Sequence, residues 1–242
     1  MITPDRHLSW DRCVNARGLG GYAGSGGRSI IHGALVRADT LDHLTAQGWE
    51  ALLEHGARTI VDLRSTAERR LRSLPAGIEE YHVPLLEAAD FAALDGVGTM
   101  EDLYLAMLDR RPAAFAEAVT AVADAPAGGV VVHCFAGKDR TGLVVALALA
   151  LAGVSDSVLA DDYAASDDRV RPLLAEWVET APTPGERERR LRESRARRET
   201  MARTLELVET RYGGAESYLI GAGVDAAVLE AMRRRLLGPL QG

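Results

Sequence analysis

The 242-residue chain is almost without lysine. Of its 28 basic residues the sole lysine is Lys138, and the others are all arginine. Aromatic residues make up 5% of the chain, so aliphatic side chains and alanine must fill the core that its 47% apolar fraction builds. Cysteine occurs twice, at Cys13 and Cys134. Two thiols so far apart exclude a disulfide framework and suit a reducing compartment, or a chain that works through a free thiol. The longest apolar run, Leu143 to Ala152, is about half of the roughly 20 residues that a membrane-spanning helix needs. The segment from Met1 to Leu8 contains no apolar h-region, so no ordinary signal peptide is expected. The expected location is the cytoplasm, with secretion by another route left open. A net charge of −7 argues against nucleic acid as a partner, because phosphate backbones need a basic surface.

What is present is an alternation of strand and helix patterns. Gly18-Leu-Gly-Gly and Gly24-Ser-Gly-Gly predict turns and a short hairpin in the first 30 or so residues. Strands are expected at about 34–37, 58–64, 79–85 and 130–133. Pro84 restricts the third to an edge or an end, and the last is a valine-rich core strand. Helices are expected at about 45–55, 65–71, 99–109, 112–124, 143–151, 155–164, 168–179, 186–211, 214–220 and 225–237. Ser65 and Glu68 fit a capping box at the start of the second. Residues 86–98 read as a loop bearing the acids Asp90 and Asp95. The pattern implies an α/β fold with a mainly parallel central sheet, helices on both faces and a helical C-terminal embellishment. Residues 1–242 are expected to form a single domain.

The densest chemical signal is His133-Cys134-Phe135-Ala136-Gly137-Lys138-Asp139-Arg140-Thr141-Gly142, between the valine strand and an apolar helix. A strand–loop–helix passage turns successive N–H groups inward and adds the positive end of a helix dipole. Such a nest binds a tetrahedral oxyanion and favours the thiolate of a cysteine at its base. Arg140 offers a planar fork for two phosphoryl oxygens, and Gly137 permits the sharp turn. Phe135, Ala136, Gly137, Lys138 and Thr141 complete the candidate substrate-binding set within the loop. Asp62 and Arg64, at the end of the 58–64 strand, are candidates either for substrate contact or for a structural ion pair.

This stretch resembles the active-site loop of cysteine-based protein tyrosine phosphatases. Its Gly-Lys-Asp-Arg-Thr-Gly form is similar to the bacterial tyrosine/serine phosphatase family that includes mycobacterial secreted tyrosine phosphatases. Asn15-Ala-Arg-Gly-Leu-Gly-Gly, Leu35-Val-Arg-Ala-Asp, Val61-Asp-Leu-Arg-Ser and Glu216-Ser-Tyr-Leu match the same family's pattern, so the resemblance covers most of the chain. Gly18 departs from it, standing where the family usually has aspartate. The resemblance implies a tyrosine-phosphatase-like fold and a phosphomonoesterase that needs no metal or other cofactor. Cys134 would attack phosphorus, Arg140 would hold the phosphoryl group, and water would release inorganic phosphate from the cysteinyl-phosphate intermediate. Thr141 would donate its hydroxyl to the sulfur, and His133 would organise the loop. Asp139 is the implied general acid, ahead of Asp90, Asp95 and Asp62, and Lys138 would read a second negative charge.

The expected substrate is phosphotyrosine in a protein, with phosphoserine, phosphothreonine or a phosphoinositide as alternatives. Two other classes of function are a non-catalytic phosphate-binding module and sulfur or arsenic redox chemistry with Cys13 as resolving thiol. Cys13 is otherwise an ordinary small apolar residue, or a disulfide partner that protects Cys134. Farther along, Glu186/Arg190, Glu188/Arg192, Glu193/Arg197 and Glu199/Arg203 are spaced i,i+4 with glutamate first, as on a solvated helix. Relatives that the chain resembles carry helical lids in this region. Residues 166–212 are therefore expected to form a lid or insertion, able to attract anionic substrates or to make peripheral contact with anionic lipid.

Overall fold

Three consecutive valines, with no polar residue to mark an outer face, belong in a strand covered on both sides. The computed structural model, which describes residues 6–70 and 72–239, puts them in the middle of the sheet. Strands β1 (Arg17–Gly18), β2 (Leu35–Ala38), β3 (Ala57–Asp62), β4 (Glu79–His82) and β5 (Gly129–His133) lie in the order β1-β2-β5-β3-β4. Only β1, at one edge, runs antiparallel to its neighbour; β2, β5, β3 and β4 are parallel. The expectation of a mainly parallel sheet is met.

Alternation along the strands divides the core in two. Val130 and Val132 join Leu35 and Val61 in the larger cluster, whereas Val131 joins Val36, Ala38 and Ile60 in the smaller. The smaller side is closed by helix α1 (Ala46–Glu54) and the N-terminal segment around Trp10. On the larger side lie α2 (Ala88–Leu94), α3 (Met100–Arg110), α4 (Pro112–Asp124), α5 (Asp139–Leu151) and α6 (Asp156–Ala164). The chain continues through α7 (Asp167–Glu179), α8 (Pro184–Glu193), α9 (Arg198–Tyr212), α10 (Gly214–Gly221) and α11 (Ala226–Leu237). Helix α5 is buried on nearly every face, as its apolar composition requires, and it packs against α4, α6, α10 and α11. Among the described residues no helix is long and apolar enough to cross a membrane.

Several expectations need correction. Residues 65–70 do not form a helix. Ser65 and Glu68 exchange the two capping-box bonds (Ser65 N to Glu68 Oε2 2.9 Å, Glu68 N to Ser65 Oγ 3.2 Å), but a turn over 66–68 is all that follows. The expected end of that helix, Leu71, lies outside the described residues. The 86–98 loop contains α2, whose start is held by reciprocal bonds between Glu87 and Asp90. The single helix expected over 186–211 is two, α8 and α9. No glycine or proline marks the break; Asp167 makes it, by capturing the Ala196 N–H at 2.6 Å and the Arg195 guanidinium. This split also divides the expected lid. Helix α9 packs on α3, α6 and α10 with Met201, Leu205 and Val208 buried, whereas α7 and α8 pack mainly on each other.

Candidate active site

The carboxyl ends of β2, β3 and β5 converge, and the β5–α5 loop (134–138) crosses between them. Gly137 has φ +66°, and a Cβ there would lie 2.3 Å from the Ala38 carbonyl oxygen, so no larger residue fits this turn. The loop is held from outside by its carbonyls. Thr40 N donates to Phe135 O at 2.9 Å, and Asn15 Nδ2 donates to Ala136 O at 2.9 Å. Arg37 Nη2 donates to Gly137 O at 2.7 Å and Lys138 O at 3.3 Å. Four successive carbonyls are thus satisfied by one surrounding frame, which leaves the amides of the loop free for an anion on the other side.

That frame is itself a buried ionic network. Arg37 Nη1 meets Asp162 Oδ2 at 2.6 Å, and Arg17 Nε meets Asp162 Oδ1 at 2.9 Å. Arg17 Nη1 also donates to Asn15 Oδ1 at 2.8 Å and so orients the amide that holds Ala136. Burial pushes Asp162 toward the neutral acid, but the charges of Arg17 and Arg37 outweigh it and hold its carboxyl well below the ordinary range. Asp162 therefore remains a carboxylate.

Cys134 and Arg140 both line a cavity of about 670 Å³ that opens above the loop. Phe135, Ala136, Lys138 and Asp139 line it too, so the structure brings together most of the loop residues named from the sequence. Arg140 Nη1 and Nη2 donate to Glu68 Oε2 and Oε1 at 2.6 and 2.8 Å. Burial works against the Arg140 charge, and the bonds to Glu68 with the nearby Cys134 outweigh it, so the guanidinium is held above its ordinary range. Glu68, from the 65–70 turn, is a site residue that the sequence marked only as half of a capping box. His133 Nδ1 lies 3.1 Å from Cys134 O, and burial pushes its pKa down.

The remaining candidates divide sharply. Asp139 Oδ1 accepts from Lys138 Nζ at 2.5 Å and from the Tyr104 hydroxyl, which stands 2.6 Å from the Tyr163 hydroxyl. The Lys138 ammonium also donates to Glu193 O at 2.9 Å, in the last turn of α8. Thr141 Oγ1 is buried and makes no hydrogen bond among the described residues, so the expected donation to the sulfur is not made in this structure. Asp62 and Arg64 do not line the cavity. They are buried and pair with each other at 2.8 Å, and Arg64 also reaches Asp42 at 2.5 Å. The ion-pair alternative is the one the structure displays. Asp90 is likewise spent, on Arg110 and Arg111, whereas Asp95 stands at the cavity rim 3.7 Å from Arg189.

Asp62, Glu80 and His133 bring ligand atoms within 4.8 Å of one another, close enough to hold a metal ion. Arg64, Arg69 and Arg72 already oppose their charges, so a dication would enter against three guanidinium groups. Cys13 and Cys134 are both free thiols. Cys13 donates to Asp39 Oδ1 at 2.8 Å, and burial together with the Asp39 charge pushes its thiol well up, which leaves it poorly reactive.

The walls of the cavity come from outside the loop. Phe91, Leu94 and Met100 form an apolar side from α2 and α3. Leu174 and Trp177 of α7 and Arg189 of α8 also line it.

The chain is similar to several known proteins. A Cupriavidus necator protein that carries a tyrosine-protein phosphatase name is 32% identical over 179 residues, 68% of this chain and 64% of its own length. The chain thus spans a little under two thirds of that relative. The triple specificity protein phosphatase PtpB of Mycobacterium tuberculosis is 29% identical over 252 residues, covering 85% of this chain and 91% of its own length. A tyrosine-protein phosphatase of Nostoc commune is 28% identical over 220 residues, 84% and 74% of the two chains. The model of the Tyrosine phosphatase family matches residues 8–238, which takes in the thiol loop, its buried frame and the helices above it. The chain belongs to the tyrosine phosphatase family.

Proposed function

We propose that the protein hydrolyses phosphomonoesters through a cysteinyl-phosphate intermediate, with phosphotyrosine in proteins as its main substrate. The observation that carries this reading is a thiol and a guanidinium at one cavity, above a loop whose carbonyls are all tied back. The Cys134 thiolate would attack phosphorus, forming an S–P bond as the ester P–O bond breaks. Arg140 and the loop amides would carry the charge of the three equatorial oxygens, and Glu68 would keep the guanidinium in plane. Asp139 would pass its proton to the departing oxygen, then take one from the water that cleaves the S–P bond and frees inorganic phosphate.

The apolar wall supplied by Phe91, Leu94 and Met100 suits an aromatic ring beside the phosphate. Lys138 argues against a phosphoinositide as the first choice. Its ammonium is already bonded to Asp139 and to the Glu193 carbonyl, so a second phosphate would have to displace one of them. A relative named for triple specificity makes breadth beyond phosphotyrosine part of the proposal. We also read α7 and α8 as the lid, with α9 excluded from it.

Hydrolysis of p-nitrophenyl phosphate is the first test. Cys134→Ser should lose about 10³-fold or more in kcat while still binding phosphate. Substantial hydrolysis by that variant would remove Cys134 from its role. A parallel rate panel of phosphotyrosine peptide, phosphoserine peptide and phosphoinositide vesicles then tests the substrate. A preference for the vesicles would put the phosphoinositide ahead of phosphotyrosine.

A further inference from the structure

Asp139 begins α5, but its side chain is oriented by residues from two other helices. Tyr104 of α3 donates its hydroxyl to Asp139 Oδ1, and Tyr163 of α6 stands behind with its own hydroxyl 2.6 Å from that of Tyr104. The two rings cross edge to face with centroids 6.2 Å apart, and both are almost wholly buried. Tyr104 can give its single proton to Asp139 only if Tyr163 supplies the other hydrogen bond, so the chain runs Tyr163 to Tyr104 to Oδ1. Burial pushes both phenols up, which keeps them protonated donors over the working range of the enzyme.

Lys138 Nζ donates to the same oxygen at 2.5 Å. Oδ1 therefore faces two donors, and a proton placed on it would point at another donor. Among the described residues Oδ2 takes no hydrogen bond. Resting on the reading of Asp139 as the general acid, we infer that Tyr104, backed by Tyr163, is a positioning residue that reserves Oδ2 as the oxygen carrying the transferable proton. Without the phenol only the Lys138 ammonium marks Oδ1, and on its flexible stem it can follow either oxygen as the carboxyl turns, so the proton is shared between an oxygen that serves the leaving group and one that does not.

The inference predicts a dependence on the leaving group. Acid catalysis, worth about 10²–10⁴-fold, matters most when the departing oxygen is basic. Phenyl phosphate releases an oxygen as basic as that of tyrosine, whereas p-nitrophenyl phosphate releases a much weaker base. Tyr104→Phe, which keeps the ring, should lose about 10-fold or more in kcat/KM on phenyl phosphate and less than about 3-fold on p-nitrophenyl phosphate. Tyr163→Phe should show the same graded loss at smaller size, and it carries the test if Tyr104→Phe does not fold. Asp139→Asn provides the reference. If that variant itself loses both esters equally, the acid assignment fails and this inference with it. If Asp139→Asn is graded while both tyrosine variants are uniform or unchanged, Asp139 remains the acid and the positioning role is overturned.

Discussion

The frame under the loop and the surface of α8 are both built from arginine and carboxylate, yet they do different things. Arg37 and Asp162 are 1% and 2% exposed and meet at 2.6 Å, whereas Arg192 and Glu188 are 61% and 75% exposed and meet at 3.3 Å. At Arg192 and Glu188 each charge keeps its water, so losing the partner costs little. Beneath the loop there is no water to replace it, and removing one member strands the rest. The same pairing is therefore a scaffold in one place and a solubilising coat in the other. Burial, more than count, decides which ion pairs hold the active site.

The largest effect should come from Asp162→Ala, which leaves Arg17 and Arg37 buried without a counter-charge. We expect a loss of about 3–5 kcal/mol in urea denaturation, with weakened phosphate binding in any folded fraction. A loss as small as that of a surface pair would erase the contrast.

Acid should next test a second buried ion pair, that of Asp62 and Arg64. Burial pushes Asp62 up, but the influence of His133 and the bonds and charge of Arg64 outweigh it, bringing it from 3.8 to about 2. A depressed carboxylate stabilises the fold fully above its unfolded pKa and loses that contribution as pH falls through its folded pKa. Asp62 should therefore stabilise the fold at neutral pH, a contribution lost between roughly pH 4 and pH 2. Asp162 acts in the same direction. Stability in Asp62→Asn should be lower at neutral pH and flatter across that window. A profile as steep as that of the parent would contradict the assignment.

A smaller effect concerns a buried ring nitrogen that has no hydrogen-bond partner among the described residues. His55 Nε2 makes no hydrogen bond among the described residues, and a Cβ at Gly18 would lie 3.9 Å from it. Gly18 is outside the left-handed region, so a side chain is allowed there. Gly18→Asp, which restores the residue usual in the resembled family, should bring a carboxylate to that nitrogen and raise stability by about 1 kcal/mol. A fall in melting temperature would show that the carboxylate does not reach it. The smallest effect is expected at Glu188→Ala on α8, whose melting temperature should match the parent's.

The loop is legible in the sequence because its parts are contiguous: strand, thiol, glycine and arginine lie within ten residues of one another. Its supports are not. Asn15, Arg37, Glu68, Tyr104 and Asp162 come from five separate places; Asn15 and Arg37 lie in segments that match the resembled family's pattern, but no residue type among the five marks a support by itself. Arg37 is ambiguous by sequence, and Glu68 reads as a helix cap because it does make those bonds. Its second task, holding Arg140, depends on a tertiary contact 72 residues away. The valine strand announces the sheet by its unbroken β-branched run. The α8–α9 break leaves no mark, since it is imposed by Asp167 from another helix. Asp62 and Arg64 draw attention because charged residues at a strand end commonly serve a site, and here they serve each other.

Lys138, the one lysine of the chain, is 1% exposed, and its ammonium is bonded to both Asp139 and α8. The outer surface consequently offers reagents and modifying enzymes no ε-amine at all. Acylation, methylation or conjugation at lysine can reach this protein only by opening the space between loop and α8. An amine-directed label, applied to the folded chain, would accordingly report on that opening.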